Sequence, residues 1–371
     1  MMRTISYLLG IILIPGLISS RSMAQDINPW KQSPEFYFKG YIDVFYAYDF
    51  NQPESGVRQP FFYNHNRHNQ FNLNHGIIGF EVSNPKYRAG LGLHTGTYPM
   101  DNYSIEPGVL KNIYEAYIGL ALNKNNNLWL DAGIFESFIG FESPISIDNW
   151  TLTRSLCAEN VPYFLTGAKI TYNINDKWAV LGSILNGWQI IQTVQGNSLP
   201  SFGTQVIFAP NNRFTFNWST FIGTDDPDST RRMRYFNNFY GQMEISEKLE
   251  FFAGIDIGFQ QESKGSSSYN NWHAVTLILR CKISDKWAMA FRGENYVDRN
   301  DVMIDSDTPN GFNTSGLSVN GDFRPIPNLA CRMEIRWLNS VDELFVKDDD
   351  LTKNNLFIVA SVAYKLRKQI K

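Results

Sequence analysis

Glu142, Asp148, Arg154 and Glu159 fall within one stretch, 138–162, whose other residues include Phe138, Ile139, Ile145, Ile147 and Leu156. Charges so close together could exchange protons, hold an ion or set a local field. In such apolar company they read instead as the charges of a loop folded inward, anchored by its hydrophobic side chains. The alternative is an external loop packed on its neighbours, since loops are ordinarily surface features. Other candidates for chemistry are weaker. His65 and His68 stand three apart with no nearby pair of carboxylates to complete a metal site. Gly265-Ser-Ser-Ser268 lacks the second glycine of a nucleophile elbow. No glycine loop followed by Lys-Ser/Thr is present to cradle phosphate. Asp348-Asp-Asp350 reads as a solvated loop tip rather than a calcium site. The expectation is no catalytic residue, no cofactor and no metal.

The elements that must hold such a loop show in the polarity pattern. In Cys331-Arg-Met-Glu-Ile-Arg-Trp337 every second residue is apolar and Arg332, Glu334 and Arg336 fall between. Val275 to Ile283 and Leu249 to Ile257 alternate in the same way. Strict period two is what a wall between lipid and water requires. Parity assigns Asp43, Glu115, Asp131, Glu244, Glu250 and Asp256 to an inner, water-facing surface, together with Arg280, Lys282, Arg292, Glu294, Arg332, Glu334 and Arg336. Acids gather on early and middle strands and bases on later ones. Two readings stay open: opposed rows that set a transverse field, or pairs that brace the wall.

Near-identical hexapeptides, Ile174-Asn-Asp-Lys-Trp-Ala179 and Ile283-Ser-Asp-Lys-Trp-Ala288, mark short polar turns between long alternating segments. Weaker versions recur about 36 to 50 positions apart. Walking the pattern predicts sixteen strands, at 36–50, 70–83, 87–97, 112–123, 128–137, 163–174, 177–189, 201–209, 213–223, 234–246, 249–261, 270–283, 286–297, 313–324, 329–340 and 354–366. The fold expected is all-β, a single transmembrane antiparallel up-and-down barrel. Its short turns would be periplasmic, and its long loops, including 51–69, 138–162, 298–312 and 341–353, extracellular. A propeller also repeats every ~40 residues, but it fits four strands into that length where only two fit here.

Arg3, an apolar run from Ile5 to Leu17 and Ser22-Met23-Ala24 read as a signal peptide over 1–24. A short periplasmic segment, 25–35, then leads to the barrel, 36–366, and a tail, 367–371; the segment is too short to plug a lumen, which favours an open pore. Fifteen per cent of residues are aromatic and the formal net charge is −3. No basic surface for nucleic acid is expected. Cys157, Cys281 and Cys331 are odd in number and scattered, and parity makes the last two small lipid-facing residues rather than a disulfide.

The chain resembles the OmpL-like β-barrel porin family. The likeness rests on Gly133-Ile-Phe-Glu-Ser-Phe-Ile-Gly140, Phe141-Glu142, Asn149-Trp150, Thr153-Arg154-Ser155 and Pro162-Tyr-Phe-Leu-Thr-Gly167, with Phe61-Phe-Tyr-Asn-His-Asn-Arg-His68, Gly96-Thr-Tyr-Pro99, Glu106-Pro-Gly108 and Pro309-Asn-Gly-Phe312. It implies an outer-membrane pore for small hydrophilic solutes, without naming one. The expected partners are outer-membrane lipid and such solutes, with further copies of the chain an option left open. The competing readings are an outer-membrane lipase or protease and a non-conducting barrel whose loops bind a partner.

Overall fold

The computed structural model describes residues 29–347 and 350–370. The signal segment and most of the Asp348-Asp-Asp350 loop tip lie outside them. In chain order the elements are β1 (Glu35–Asp49), β2 (Phe71–Ser83), β3 (Tyr87–Thr95), α1 (Thr97–Asn102), β4 (Ile113–Ala121), β5 (Leu128–Glu136), α2 (Leu156–Glu159), β6 (Phe164–Asn173), β7 (Trp178–Leu185), β8 (Ser201–Asn211), β9 (Phe214–Gly223), β10 (Arg234–Glu244), β11 (Leu249–Gln261), β12 (Tyr269–Lys282), β13 (Trp287–Asp298), β14 (Phe312–Ile326), β15 (Leu329–Ser340), β16 (Phe345–Lys347), β17 (Asp350–Thr352) and β18 (Asn354–Ile370). Sixteen strands, all except β16 and β17, close into one barrel in which sequence neighbours pair and β1 meets β18. β16 and β17 pair with each other as a hairpin inside the last long loop.

The alternation that predicts the strands also decides which way they face. On β12 and β15, Leu277, Leu279, Met333, Ile335 and Trp337 are exposed, while Thr276, Ile278, Arg332, Glu334 and Arg336 are buried. A soluble sheet would hide the first set. Here the apolar set forms the outside of the barrel, as a wall against hydrocarbon requires. Cys281 and Cys331 share this outward parity and are partly exposed, Cys157 is buried, and all three thiols are free.

The two hexapeptides owe their recurrence to turn chemistry. Asn175 Oδ1 accepts from Lys177 N (2.9 Å) and Trp178 N (3.1 Å). Ser284 Oγ does the same for Lys286 N (3.3 Å) and Trp287 N (3.2 Å). Asn and Ser are turn formers for this reason: their short polar side chains satisfy backbone donors that no ladder reaches. The tryptophan that follows packs outward on the neighbouring strand, Trp178 on Phe208 (4.3 Å between centroids) and Trp287 on Phe323 (4.6 Å). An aromatic girdle at the membrane–water boundary calls for such pairs.

Three departures from the sequence reading have local causes. The seventh strand ends at Leu185 rather than 189, because Trp188, Ile190 and Ile191 fold in and are buried. The third ends at Thr95, where Gly96 (φ 124) turns the chain into α1. The last strand runs past Leu366 through most of the segment read as a tail, pairing Arg367 with Lys39 and Ile370 with Phe36.

Candidate functional site

The segment 138–162 leaves β5, crosses the barrel and returns to β6. Its base is built on a facing pair of glycines, Gly133 and Gly167, in register on the two strands. Both have positive φ (130 and 154), a region that side chains with a Cβ rarely adopt. Past the base, two rings dock on wall glycines. A Cβ at Gly203 of β8 would stand 2.6 Å from Phe138 Cζ, and one at Gly254 of β11 would stand 2.8 Å from Phe141 Cε1. Farther on, Leu152, Leu156 and Cys157 are fully buried within a cluster that also holds wall residues Phe236, Trp272 and Val359. Burial of such a side chain contributes about 1.5–3 kcal/mol.

An irregular segment buried in this way must find partners for its backbone N–H and C=O groups. The wall supplies them from charged side chains. Glu334 Oε2 accepts from Thr153 N at 2.6 Å, and Glu294 Oε2 from Leu156 N at 2.7 Å. Arg292 donates to Thr153 O (2.6 Å), Arg336 to Arg154 O (2.9 Å), and Arg332 to Asn149 O (3.0 Å) and to Ser146 O. The same side chains are paired among themselves. Arg292 lies 2.7 Å from Glu334 and 3.3 Å from Glu294, all three fully buried, and Arg332 lies 2.8 Å from Asp322. Arg336 Nη2 is 2.7 Å from Glu294 Oε1 yet not aligned as a hydrogen bond, so their attraction is chiefly Coulombic. Buried ion pairs add little net stability because desolvation offsets attraction. What they do here is hold a loop.

Contacts of the loop reach opposite sides of the sixteen-strand ring. Phe138 O accepts from Ser219 on β9 (2.7 Å), and Tyr41 on β1 receives Ser146 N (2.8 Å). Asp148 pairs with Lys365 of β18. Glu142 accepts from Ser155 N (2.7 Å) and Ser155 Oγ (2.6 Å), within the loop itself. Arg154 does not meet Glu142 or Asp148; it donates to Ser143 O (2.8 Å), Leu152 O (2.7 Å) and Pro144 O (2.6 Å). Glu159, on α2, joins this loop to the first one through Tyr63 N (3.0 Å) and Asn64 N (3.3 Å). Burial pushes its carboxyl up to about 7, against the lowering pull of Arg154 and of these hydrogen bonds. From the first loop, Phe61 and Phe62 join the same buried cluster as Leu152. Residues of the first and third long loops are therefore packed together against the inner wall.

The remaining charges sit nearer the short turns, and they are not segregated by strand. Glu250 of β11 lies 3.1 Å from Arg280 and 2.7 Å from Lys282 on the adjoining strand. Glu115 meets Lys39 (2.5 Å) and Asp131 meets Arg88 (2.6 Å). Asp256 is buried and accepts from Asn238 (2.6 Å), and Glu244 stands partly exposed at the end of β10. These charges stand in pairs, as bracing of the wall requires. Lys39, Arg88, Asp322 and Lys365 complete these pairs and escaped the sequence reading, although strand parity alone would have placed them. The histidine pair is split: His65 bonds Asp43 (3.0 Å) and His68 accepts from Asp49 N (3.0 Å). Among the described residues no cluster of His, Cys, Asp and Glu could hold a metal.

The barrel is similar to several solved outer-membrane channels. With the anion-selective porin from Comamonas acidovorans it shares a TM-score of 0.59 at 8% identity, over 90% of this chain and 100% of that one. With the channel DcaP of Acinetobacter baumannii the values are 0.55 and 12%, over 91% and 98%. With OprB of Pseudomonas putida they are 0.58 and 12%, over 90% and 94%. At such identities the likeness shows the fold. No protein of curated function matches the chain. The model of the family described as beta-barrel porin-2, OmpL-like, matches residues 35–366. Spanning nearly the whole barrel, that match and the closed ring of outward-apolar strands identify the chain as a member of this OmpL-like family of outer-membrane porins.

Proposed function

We propose that the barrel is a passive diffusion channel for small hydrophilic solutes, with the 138–162 loop setting its size limit and without catalysing a reaction. The observation that carries this reading is the span of the loop: its partners Ser219 and Tyr41 stand on opposite sides of the ring, so a solute must pass beside it. Selection then rests on width and on the polar groups that replace part of the solute's hydration. In this reading the short turns face the periplasm, as in outer-membrane barrels generally. Glu142, Asp148, Arg154 and Glu159 shape the constriction from within the loop, and the paired wall charges keep it in place.

Planar-bilayer recording tests the channel. The wild-type protein should give discrete conductance steps, and deleting about ten residues around Asp148 should enlarge them while the barrel stays folded, since a loop tolerates shortening better than a strand. Equal conductance in the two proteins would refute the constriction. One observation favours a second reading, a non-conducting barrel whose loops bind a partner: the first and third long loops are buried against each other through Glu159. Absence of any conductance step in either protein would favour that barrel.

A further inference from the structure

His75 on β2 and His94 on β3 are both buried. Their ring nitrogens form a chain between two backbone carbonyls. Pro144 O of the 138–162 loop lies 3.4 Å from His75 Nδ1, His75 Nε2 lies 3.1 Å from His94 Nδ1, and His94 Nε2 lies 3.0 Å from Lys111 O, just before β4. Carbonyl oxygens only accept, and a neutral imidazole carries one N–H and one acceptor nitrogen. Three contacts therefore need three protons. Two neutral rings hold two. With His94 donating to Lys111 O and His75 donating to His94, the contact left without a proton is the longest one, to the loop, where a lone pair on His75 Nδ1 faces the Pro144 oxygen.

A third proton completes the chain: His75 Nδ1 becomes a donor to Pro144 O, and every ring nitrogen of the pair is then bonded. We propose that His75 and His94 form a proton-operated latch on the 138–162 loop, holding it at Pro144 more firmly when the pair carries this extra proton than when it is neutral. Hydrogen bonds given by an imidazolium are of the stronger, charge-assisted kind, and they offset the cost of burying the charge. The surroundings leave the count of bonds to decide. Tyr41 of β1 stands 5.7 Å from His75 between centroids and Tyr98 of α1 4.8 Å, while Tyr114 of β4 is 5.8 Å from both rings and Tyr103 is 4.6 Å from His94. Tyrosines carry no charge below about pH 10. The full charges that act on His75 are Asp43 of β1, bonded to His65 of the first loop, and Arg154, which donates to the same Pro144 O at 2.6 Å. These two are opposite in sign, and the two lone pairs of a carbonyl leave room on Pro144 O for both donors. The latch concerns the loop alone and does not rest on the barrel's conducting.

Hydrogen exchange of the full barrel in detergent, followed by mass spectrometry on peptides from 138–162, reads the latch apart from conduction. A Glu159→Gln parent removes that carboxyl's own titration, and dividing by the intrinsic exchange rate at each pH leaves the protection. In this parent, loop protection should rise about tenfold as pH falls from about 8 to about 4, across the ordinary histidine range, while protection of the strands stays level. His75→Phe should fix the loop at its weaker, neutral-pH protection throughout. His94→Phe should do the opposite. It takes away the acceptor at His75 Nε2, so neutral His75 places its one proton on Nδ1, and the loop keeps its acid-level protection at both pH values. A merely structural role for the pair predicts loosening in both variants. Both should keep the heat-modifiable gel mobility of the parent; if one does not fold, the parent and the other variant still decide. The latch is overturned if parent protection is the same at both pH values, or if folded His94→Phe protein is looser than the parent at the higher one. A pH-dependent loop in a protein that never conducts would overturn the channel and keep the latch, and conduction with a loop indifferent to pH would do the reverse.

Discussion

Replacing Glu334 by alanine is expected to release the 138–162 loop while leaving the barrel intact. The carboxylate holds Thr153 N at 2.6 Å with one oxygen and Arg292 at 2.7 Å with the other, in a setting closed to water. Removing one partner of a buried ion pair costs about 3–5 kcal/mol when the other charge is left uncompensated; Arg292 keeps Glu294 at 3.3 Å, so the lower end of that range applies. Strand pairing of β15 with β14 and β18 does not involve this side chain. The least costly relief is for the loop to lift and admit water to Arg292. Cys157, buried on the same loop against Thr276 of β12, reports that event once Cys281 and Cys331 are changed to alanine. At about 1.4 kcal/mol per factor of ten, labelling of Cys157 by a charged thiol reagent should accelerate by roughly a hundredfold or more. Single-channel conductance should rise in parallel. Glu334→Gln, which keeps the shape and one acceptor, should give a smaller acceleration, since a hydrogen bond to a charged group contributes about 1.5–3 kcal/mol. Unchanged labelling and conductance in folded Glu334→Ala protein would refute the idea that wall charges hold the loop; loss of heat-modifiable mobility would show that they hold the barrel itself.

Selectivity should follow exposure rather than the count of inward charges. Neutralising Lys282 and Lys365, whose side chains are 35% and 41% exposed, should move the reversal potential in a salt gradient toward cations, whereas Arg332→Gln, at a fully buried side chain, should act through the loop and change conductance instead; equal shifts in potential for all three would contradict this. Glu159 should make the clamp between the first and third loops pH-dependent. Its carboxyl, outside the spanning strands, is raised by burial from 4.5 to about 7. Above the unfolded value the folded state therefore binds the extra proton, and stability falls as pH rises from about 4.5 to 7, by about 3 kcal/mol at most. Thermal unfolding of the wild type relative to Glu159→Gln should show the wild type losing ground over that interval, and parallel melting curves would sink the assignment.

Strand number, strand direction and the facing of each residue were legible in the sequence because period-two polarity is a local property. Arg332 and Met333 differ in their surroundings for no reason beyond their parity, and a reader of the chain can apply that rule without knowing what lies across the barrel. The turn hexapeptides are equally local, since Asn175 and Ser284 bond donors two and three residues away. The path of 138–162 is a different kind of fact. Its composition marks it as a segment to be buried, but where it lies depends on Gly203 and Gly254 leaving room for two rings and on Glu294 and Glu334 presenting carboxylates to Leu156 and Thr153. Those partners stand up to 181 positions away in sequence, and only barrel closure brings them within reach. For the same reason, which wall charge pairs with which is decided only in the folded chain, because a charge taken out of water must find its compensation in three dimensions.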